Sequence, residues 1–462
     1  MLCYAGGGAG RGGTDNEKSG ASGTCDAGGA NAPGTDGLGG GGGGLGAYKS
    51  VKAGYRGGSG TVVVRYVVSM EPAAKPTNLS PNGTTLDLHN ETQLKFFRMS
   101  TAERAVEFTS GDRGTLSKAG DCLPKPIPFS WTGGGTNTLR ICRADGSVFL
   151  ERTVVGTATE VDGFEVGADY TWTVANEKGT SAAATFSTST QVPRLLREPR
   201  FVGATLATRK IGSGIVNIRE PGGMVGLGGR RVKPNLLFRS AALNRSYASA
   251  TNPNCLEPGE TYVNNEAETN FWLKTLKIKT EVDLRDPDEY GVNATMSALG
   301  PGVGYVTFPV NIGDGQHCPC YDACFTDDGK QKVKRVLDVV MDPSNYPLIY
   351  HCSGGQDRTG SLAFVLEGLL GVDEDTLVLD WECLALYSNS QSYPTIAGQF
   401  EPFLAGLNAY PGETINDRIV AFVKDTGVTD EQIETFRTAM LEGYGEPDVP
   451  PEEPAEKHPY VV

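Results

Sequence analysis

Two hydrophobic rhythms divide the chain. Between about Pro76 and Pro193, apolar residues recur at every second position, as in Thr138-Leu139-Arg140-Ile141-Cys142-Arg143 and Tyr170-Thr171-Trp172-Thr173-Val174. That period belongs to strands burying one face. The first run meets Ser147-Val148-Phe149-Leu150-Glu151-Arg152 across Ala144-Asp145-Gly146, which predicts a hairpin with an Asp-Gly turn. The second turns at residues 176–179 and returns through Ala182 to Ser187, with Phe186 available for the core. From about Leu195 helical periods alternate with short apolar strands. Helices are expected over 267–275, over 331–340 (Val333, Val336, Leu337 and Val340 on one face), over 359–370 ending at Gly371, and from a Thr429/Gln432 capping box to Leu441. Strands are expected over 280–284, 304–310 and 347–350. The pattern therefore predicts an all-β sandwich followed by an α/β domain whose central sheet is flanked by helices.

Composition adds two outer segments. Of the 62 glycines, 23 fall in the first 60 residues. Ala5 to Gly60 is low-complexity sequence whose chain entropy resists packing, and it closes on a Val-rich strand over 61–68. That ending resembles the last strand of glycine-rich modules in bacterial surface and phage-tail proteins. The Pro- and Glu-rich tail from Glu446 is expected to be disordered. The last strands of the alternating region, with Tyr170 placed like a corner tyrosine, resemble those of an immunoglobulin-like or fibronectin-type-III sandwich, and the expected division is 1–70 glycine-rich, 71–193 immunoglobulin-like or fibronectin-like β-sandwich, 194–445 α/β and 446–462 tail.

Charge and targeting narrow the partners. With 41 Lys+Arg against 55 Asp+Glu the net charge is −14, which speaks against nucleic acid or an anionic membrane as partner. No apolar run reaches the ~18 residues of a membrane span. The start lacks the charged and apolar regions of a signal peptide, so the chain reads as the C-terminal part of a longer exported precursor, secreted or at the cell surface, and otherwise as cytoplasmic. Ten cysteines are too sparse for a disulfide framework, and Cys122 with Cys142 is either a bridge or two independent thiols.

One segment carries chemistry: His351-Cys352-Ser353-Gly354-Gly355-Gln356-Asp357-Arg358-Thr359-Gly360, between an expected strand and an expected helix. A glycine-containing turn there aims several backbone N–H groups at one point, and the helix N-terminus adds partial positive charge. Residues 353–359 thus form an anion cradle. Cys352 sits at its rim, where the amides and Arg358 favour the nucleophilic thiolate. Arg358 can grip two phosphoryl oxygens in a bidentate fork, and Thr359 can hydrogen-bond the sulfur.

The segment is similar to the phosphate-binding loop of cysteine-dependent phosphatases, and resembles their bacterial branch of atypical tyrosine, dual-specificity and lipid phosphatases. Asn217-Ile218-Arg219-Glu220-Pro221-Gly222-Gly223, Arg231-Val232-Lys233-Pro234 with Leu237-Phe238-Arg239-Ser240-Ala241-Ala242-Leu243, and Asp283-Leu284-Arg285-Asp286-Pro287-Asp288-Glu289 look like that family's other signatures. The resemblance makes 194–445 a tyrosine-phosphatase-like α/β domain and implies two-step phosphomonoester hydrolysis through a cysteinyl-phosphate on Cys352, with no metal or other cofactor. Asp357 and Asp286 compete as general acid. Asp283 and Arg285 are expected to support the loop, and His351 to tune it by hydrogen bonding. Gln356 stands where the family commonly has Lys, which favours phosphotyrosine proteins, peptides or small phosphomonoesters over phosphoinositides, while the shared loop chemistry keeps inositol phosphates open as an alternative substrate. Glu220-Pro221 also departs from the family's usual Asp-Leu. The rival class is an adhesive protein that keeps the loop as a phosphate-binding pseudoenzyme and meets a cell-surface or protein partner through its sandwich. Its case is weakened by the presence of Cys352, Asp357, Arg358 and Thr359 together.

Other candidates read as structural. His317-Cys318-Pro319-Cys320 with Cys324 fits a zinc site poorly. Cys383 is expected in the core, with a minor alternative as resolving thiol for oxidised Cys352. His89 and His458 read as surface residues.

Overall fold

Period-two alternation governs the first half of what the structure describes. The computed structural model describes residues 74–104, 124–196, 217–243, 269–285, 296–308, 321–352, 354–386 and 396–446. All lie in one compact unit, Glu71–Val462. The glycine-rich segment, its Val-rich strand and the acidic tail lie outside the described residues.

The β region comprises β1 (Thr77–Ser80), β2 (Thr84–Leu86), α1 (Glu91–Arg98), β3 (Ile127–Thr132), β4 (Thr136–Arg143), β5 (Val148–Val155), β6 (Ala158–Val161), β7 (Asp169–Asn176), β8 (Gly179–Thr180) and β9 (Ala184–Thr188). One sheet runs β1-β3-β6, and the other runs β2-β9-β7-β4-β5 with β8 beside β7. Their alternate residues share one apolar cluster that includes Phe129 and Trp131 of β3, Leu139 and Ile141 of β4, Tyr170 and Trp172 of β7 and Phe186 of β9. The Phe129 and Trp172 rings meet edge to face at 4.8 Å. The Tyr170 hydroxyl accepts the Glu165 N–H at 3.0 Å, closing the corner before β7. In the β4–β5 hairpin Asp145 accepts the Ser147 N–H at 2.8 Å, and Gly146 takes the left-handed φ of +82° that the turn requires. Cys142 is a free thiol, and Cys122 lies outside the described residues.

Helix α1 departs from the expectation of strands and turns only. Asn90 and Gln93 form a capping box at its start. Its Phe96 and Phe97 join Leu195, Cys383 and Leu386 in a small cluster between the β region and the helices that follow. His89, expected at the surface, is buried beside it with Nε2 3.0 Å from the Pro193 carbonyl oxygen. Burial pushes its imidazole down to about 4, although the Pro193 contact works the other way.

The α/β region contributes β10 (Arg194–Leu195), β11 (Arg219–Glu220), β12 (Leu237–Ser240), β13 (Thr280–Asp283), β14 (Gly304–Thr307) and β15 (Leu348–His351). Their order is β10-β11-β12-β15-β13-β14. The first three are antiparallel, whereas β12, β15, β13 and β14 run parallel. Around them stand α2 (Asp327–Val340), α3 (Asp357–Leu369), α4 (Glu374–Glu382), α5 (Ile396–Asn408), α6 (Ile415–Asp425) and α7 (Asp430–Met440). The expected helix over 267–275 is a short π-helical segment, Asn270–Thr275. Helix α3 is buried on nearly every side, as its continuous apolar sequence requires. Among the described residues no helix is long and apolar enough to cross a membrane.

Buried polar contacts join the two regions. Arg194 donates to the Phe164 carbonyl at 2.8 Å and pairs with the wholly buried Glu220. Glu220 also accepts the Asn235 N–H at 2.6 Å, and the Asn235 side chain reaches Glu165 at 2.6 Å. Glu220, which departs from the resembling signature, thus holds the chain where the β region leads into the sheet. Arg231 adds bonds to the Val166 and Gly167 carbonyls at 2.8 and 3.1 Å, and Arg104 pairs with Glu382 of α4.

Candidate active site

The carboxyl ends of parallel strands are where α/β folds gather their loops and ligands. Here β15 delivers His351 and Cys352 to that edge, and the chain returns into α3 at Asp357. Cys352 is buried, and Ser353 lies outside the described residues. Gly355 has φ +67°, and a Cβ there would stand 2.3 Å from the Ser240 carbonyl oxygen, so only glycine lets the loop pass β12 so closely.

A rigid set of donors holds the loop from the β12 side. Asn217, itself at φ +61°, donates from Nδ2 to the carbonyls of Gly354 at 3.2 Å and Gly355 at 3.0 Å. Arg239 donates to the Gly355 carbonyl at 3.0 Å. Carbonyls tied outward leave the following N–H groups free to face the loop's interior, the arrangement an anion cradle needs. Arg219 bonds the Asn217 side chain, and Arg219 and Arg239 both pair at 2.6 Å with Asp380 of α4. Burial alone would raise the Asp380 carboxyl, but the two guanidiniums outweigh it and hold it below its ordinary value. Glu367 of α3, buried near the negative Asp380, is pushed well up.

The β13 side carries a second network. Asp283 accepts from Arg285 Nε at 2.9 Å and Nη2 at 2.6 Å, and from the Tyr305 hydroxyl at 3.1 Å. Burial would raise its carboxyl, yet His351 and Arg285 hold it down at about 2. His351 lies between β13 and the loop, with Nε2 2.9 Å from Glu281 and Nδ1 3.2 Å from the Cys352 carbonyl oxygen. Glu281, Asp283 and His351 bring ligand-type atoms within 4.8 Å of one another. Their lone pairs are largely committed to Arg285, Tyr305, Ser297 and the Ala298 N–H, so the cluster reads as a hydrogen-bond network rather than an open metal site.

At the start of α3 the remaining candidates meet. Arg358 donates from Nη1 to the Leu284 carbonyl at 3.3 Å, which lays the guanidinium toward the end of β13. Its stem lines a small apolar cavity with the buried Cys324 and Val333. The Thr359 hydroxyl is buried without a hydrogen-bond partner among the described residues, which leaves it available to a ligand or the sulfur. Asp357 stands in the first turn of α3 and accepts the Tyr321 hydroxyl. Gln356, at the N-cap, is buried.

The structure thus brings together Cys352, Gly354, Gly355, Gln356, Asp357, Arg358, Thr359, His351, Asp283 and Arg285. Asp286, the rival acid, lies outside the described residues, as do His317, Cys318 and Cys320. Cys383 packs beside Phe96 and Leu386, and burial pushes its thiol far up, which suits core packing and not thiol exchange. The supporting roles of Asn217, Arg239, Asp380, Glu281 and Tyr321 were not singled out by sequence reasoning. The available signal was charge inside apolar strands, at Arg219, Arg239 and Glu281, since a charge there must be paired.

With this geometry in hand, comparison with known proteins finds a match for one stretch. Residues 263–448 match the tyrosine phosphatase family. That tyrosine phosphatase match includes β13, β15, the loop and the helices around it. Over 183 residues the chain is 30% identical to a Cupriavidus necator protein that bears the name of a tyrosine-protein phosphatase, covering 36% of this chain and 59% of that one. The chain therefore spans less than two thirds of that relative's length. Among solved structures, the core catalytic domain of the PP-IP phosphatase SIW14 from S. cerevisiae, in complex with citrate, is 16% identical with a TM-score of 0.21, covering 38% of this chain and 94% of that one. A second structure of the Siw14 catalytic core, also 16% identical, has a TM-score of 0.17 and covers 34% and 87%.

Proposed function

We propose that the α/β region is a cysteine-dependent phosphatase that hydrolyses phosphomonoesters, phosphotyrosine in proteins or peptides first among them. The observation that carries the reading is Cys352 at the carboxyl end of β15, followed by a loop held by its carbonyls that closes onto the first turn of α3. The Cys352 sulfur attacks phosphorus, and the bond to the leaving oxygen breaks. Asp357, on the rim of the loop, gives that oxygen its proton. Water then attacks the cysteinyl-phosphate, Asp357 takes the water's proton, and phosphate leaves the sulfur. Inward N–H groups and Arg358 neutralise the equatorial oxygens throughout. Gln356 offers no positive charge for the extra phosphates of an inositol head group, which supports the simpler esters.

The test is phosphate release from para-nitrophenyl phosphate and a phosphotyrosine peptide in the presence of EDTA. Turnover that persists in EDTA and disappears in Cys352→Ser is the expected result. A rate in Asp357→Ala about 10²-fold lower would assign the acid to Asp357. An unchanged rate would move it to Asp286. No turnover of either substrate would leave the loop as an anion receptor.

A further inference from the structure

An acid that protonates a leaving oxygen must present its proton to one point, and an aspartate has free torsions and a choice of two oxygens with which to miss it. Here both choices are narrowed. Among the described residues, the bond to the Asp357 carboxyl comes from Tyr321, whose hydroxyl donates to Oδ1. In a protonated acid the oxygen that accepts a hydrogen bond is the carbonyl oxygen, which leaves the acidic proton on Oδ2. A phenol hydroxyl donates to the ionised carboxylate as well, so the same bond persists once the proton has gone.

Tyr321 is itself held on several sides. Its N–H bonds the Ser361 hydroxyl at 3.3 Å, and Ser361 follows Asp357 by one turn of α3, which puts both contacts on one helix face. Its ring meets Trp381 of α4 edge-on at 6.0 Å, and Trp381 in turn covers Gly360, where a Cβ would stand 2.7 Å from the indole. Within the same 3₁₀ turn, Tyr321–Phe325, Phe325 packs among Phe403, Tyr410 and Phe422. The backbone at Tyr321 is left-handed, with φ +52°. A bulky side chain keeps that conformation only where its surroundings impose it, and such residues cluster at active sites.

We propose that Tyr321 is a positioning residue that fixes the rotamer of Asp357 and selects Oδ2 as the oxygen from which the leaving group takes its proton. This rests on Asp357 as the acid of the proposed phosphatase. In that step the S–P bond forms as the ester P–O bond breaks, the ester oxygen takes the proton from Oδ2, and Tyr321 keeps its own proton.

The consequence is a dependence on the leaving group, which a tyrosine that merely braces the fold would not produce. Phenyl phosphate releases a basic phenolate that needs the proton, whereas dinitrophenyl phosphate releases a stable anion that does not. With the full chain, kcat/KM is measured on both esters for the wild type, Tyr321→Phe, Asp357→Ala and the double variant. Tyr321→Phe should lose about tenfold on phenyl phosphate and less than about twofold on the dinitrophenyl ester. In the Asp357→Ala background the same substitution should cost nothing further, because its effect passes through the acid. Equal losses on the two esters, no loss on phenyl phosphate, or a full additional loss in the double variant would overturn the proposal and leave the phosphatase reading standing. An Asp357→Ala variant that loses equally on both esters would place the acid elsewhere and overturn this inference alone. If Tyr321→Phe does not fold, Ser361→Ala, which releases the Tyr321 N–H, should show the same split at about threefold, and its absence would count equally against the proposal. A wild type that turns over neither ester would refute the phosphatase reading and this inference with it.

Discussion

Buried charge flanks the loop on both sides, but the two flanks are constructed differently. On the β12 flank Arg219 and Arg239 converge on Asp380, and their remaining donors, with Asn217, reach backbone carbonyls of the loop. On the β13 flank Asp283 pairs with Arg285, while Glu281 accepts from Ser297 and the Ala298 N–H and faces the His351 ring. The first flank fixes where the loop's peptide groups point. The second surrounds the ring of His351, the residue that leads into Cys352. The loop's carbonyls are therefore held from one side, and the residue that leads into the loop from the other.

The largest effect should come from the shape-holding flank. Asp380→Ala leaves two buried guanidiniums without their carboxylate and should cost about 3–5 kcal/mol in urea unfolding. A loss below about 1 kcal/mol would mean that solvent or Glu367 replaces it. Next, Gly355→Ala drives a Cβ into the Ser240 carbonyl and should lower kcat about 10²-fold with labelling of Cys352 retained. Equal loss of iodoacetamide labelling and turnover would show that the loop's shape also sets the reactivity of Cys352.

On the β13 flank the effect is pH-dependent. The Asp283 carboxyl is depressed from 3.8 to about 2, so its stabilisation is full above pH 3.8 and is lost as pH falls toward 2. That corresponds to about 2 kcal/mol, and its removal in Asp283→Asn should flatten the unfolding free energy between pH 4 and 2. A slope identical to the wild type would exclude Asp283 as its source. Smallest of all, Arg140→Ala breaks a half-exposed pair with Glu151 on the β4–β5 hairpin and should leave Tm and turnover unchanged. A measurable drop would place that surface in contact with the working parts.

What the sequence revealed follows from the range of the interactions. The hairpin at Asp145-Gly146, the strand before Cys352 and the helix after it were readable because each is set by neighbours within a few residues. Cys352, Arg358 and Thr359 were readable for the same reason, being one continuous segment. Helix α1 carried a local signal as well, the Asn90/Gln93 capping box, but its short length hid it among strands. Arg219, Arg239 and Asp380 meet only after the chain has folded across 141 and 161 positions, and no local pattern encodes that meeting. His89 misled because its partner, the Pro193 carbonyl, is 104 residues away. Glu220 likewise looked like a departure from a signature until Arg194 was seen against it.

That last contact bears on how such a chain can be cut or recombined. A fragment starting after Arg194 would carry Glu220 buried with no cation, and would lay Cys383 and Leu386 open where α1 had covered them. The segment matching the family begins at 263, so neither the acid nor its arginine belongs to it. Transplanting the phosphatase-like part alone would inherit the socket without the plug. The two regions are expected to behave as one inheritable piece, in which sequence drift on either face of the joint is answered on the other.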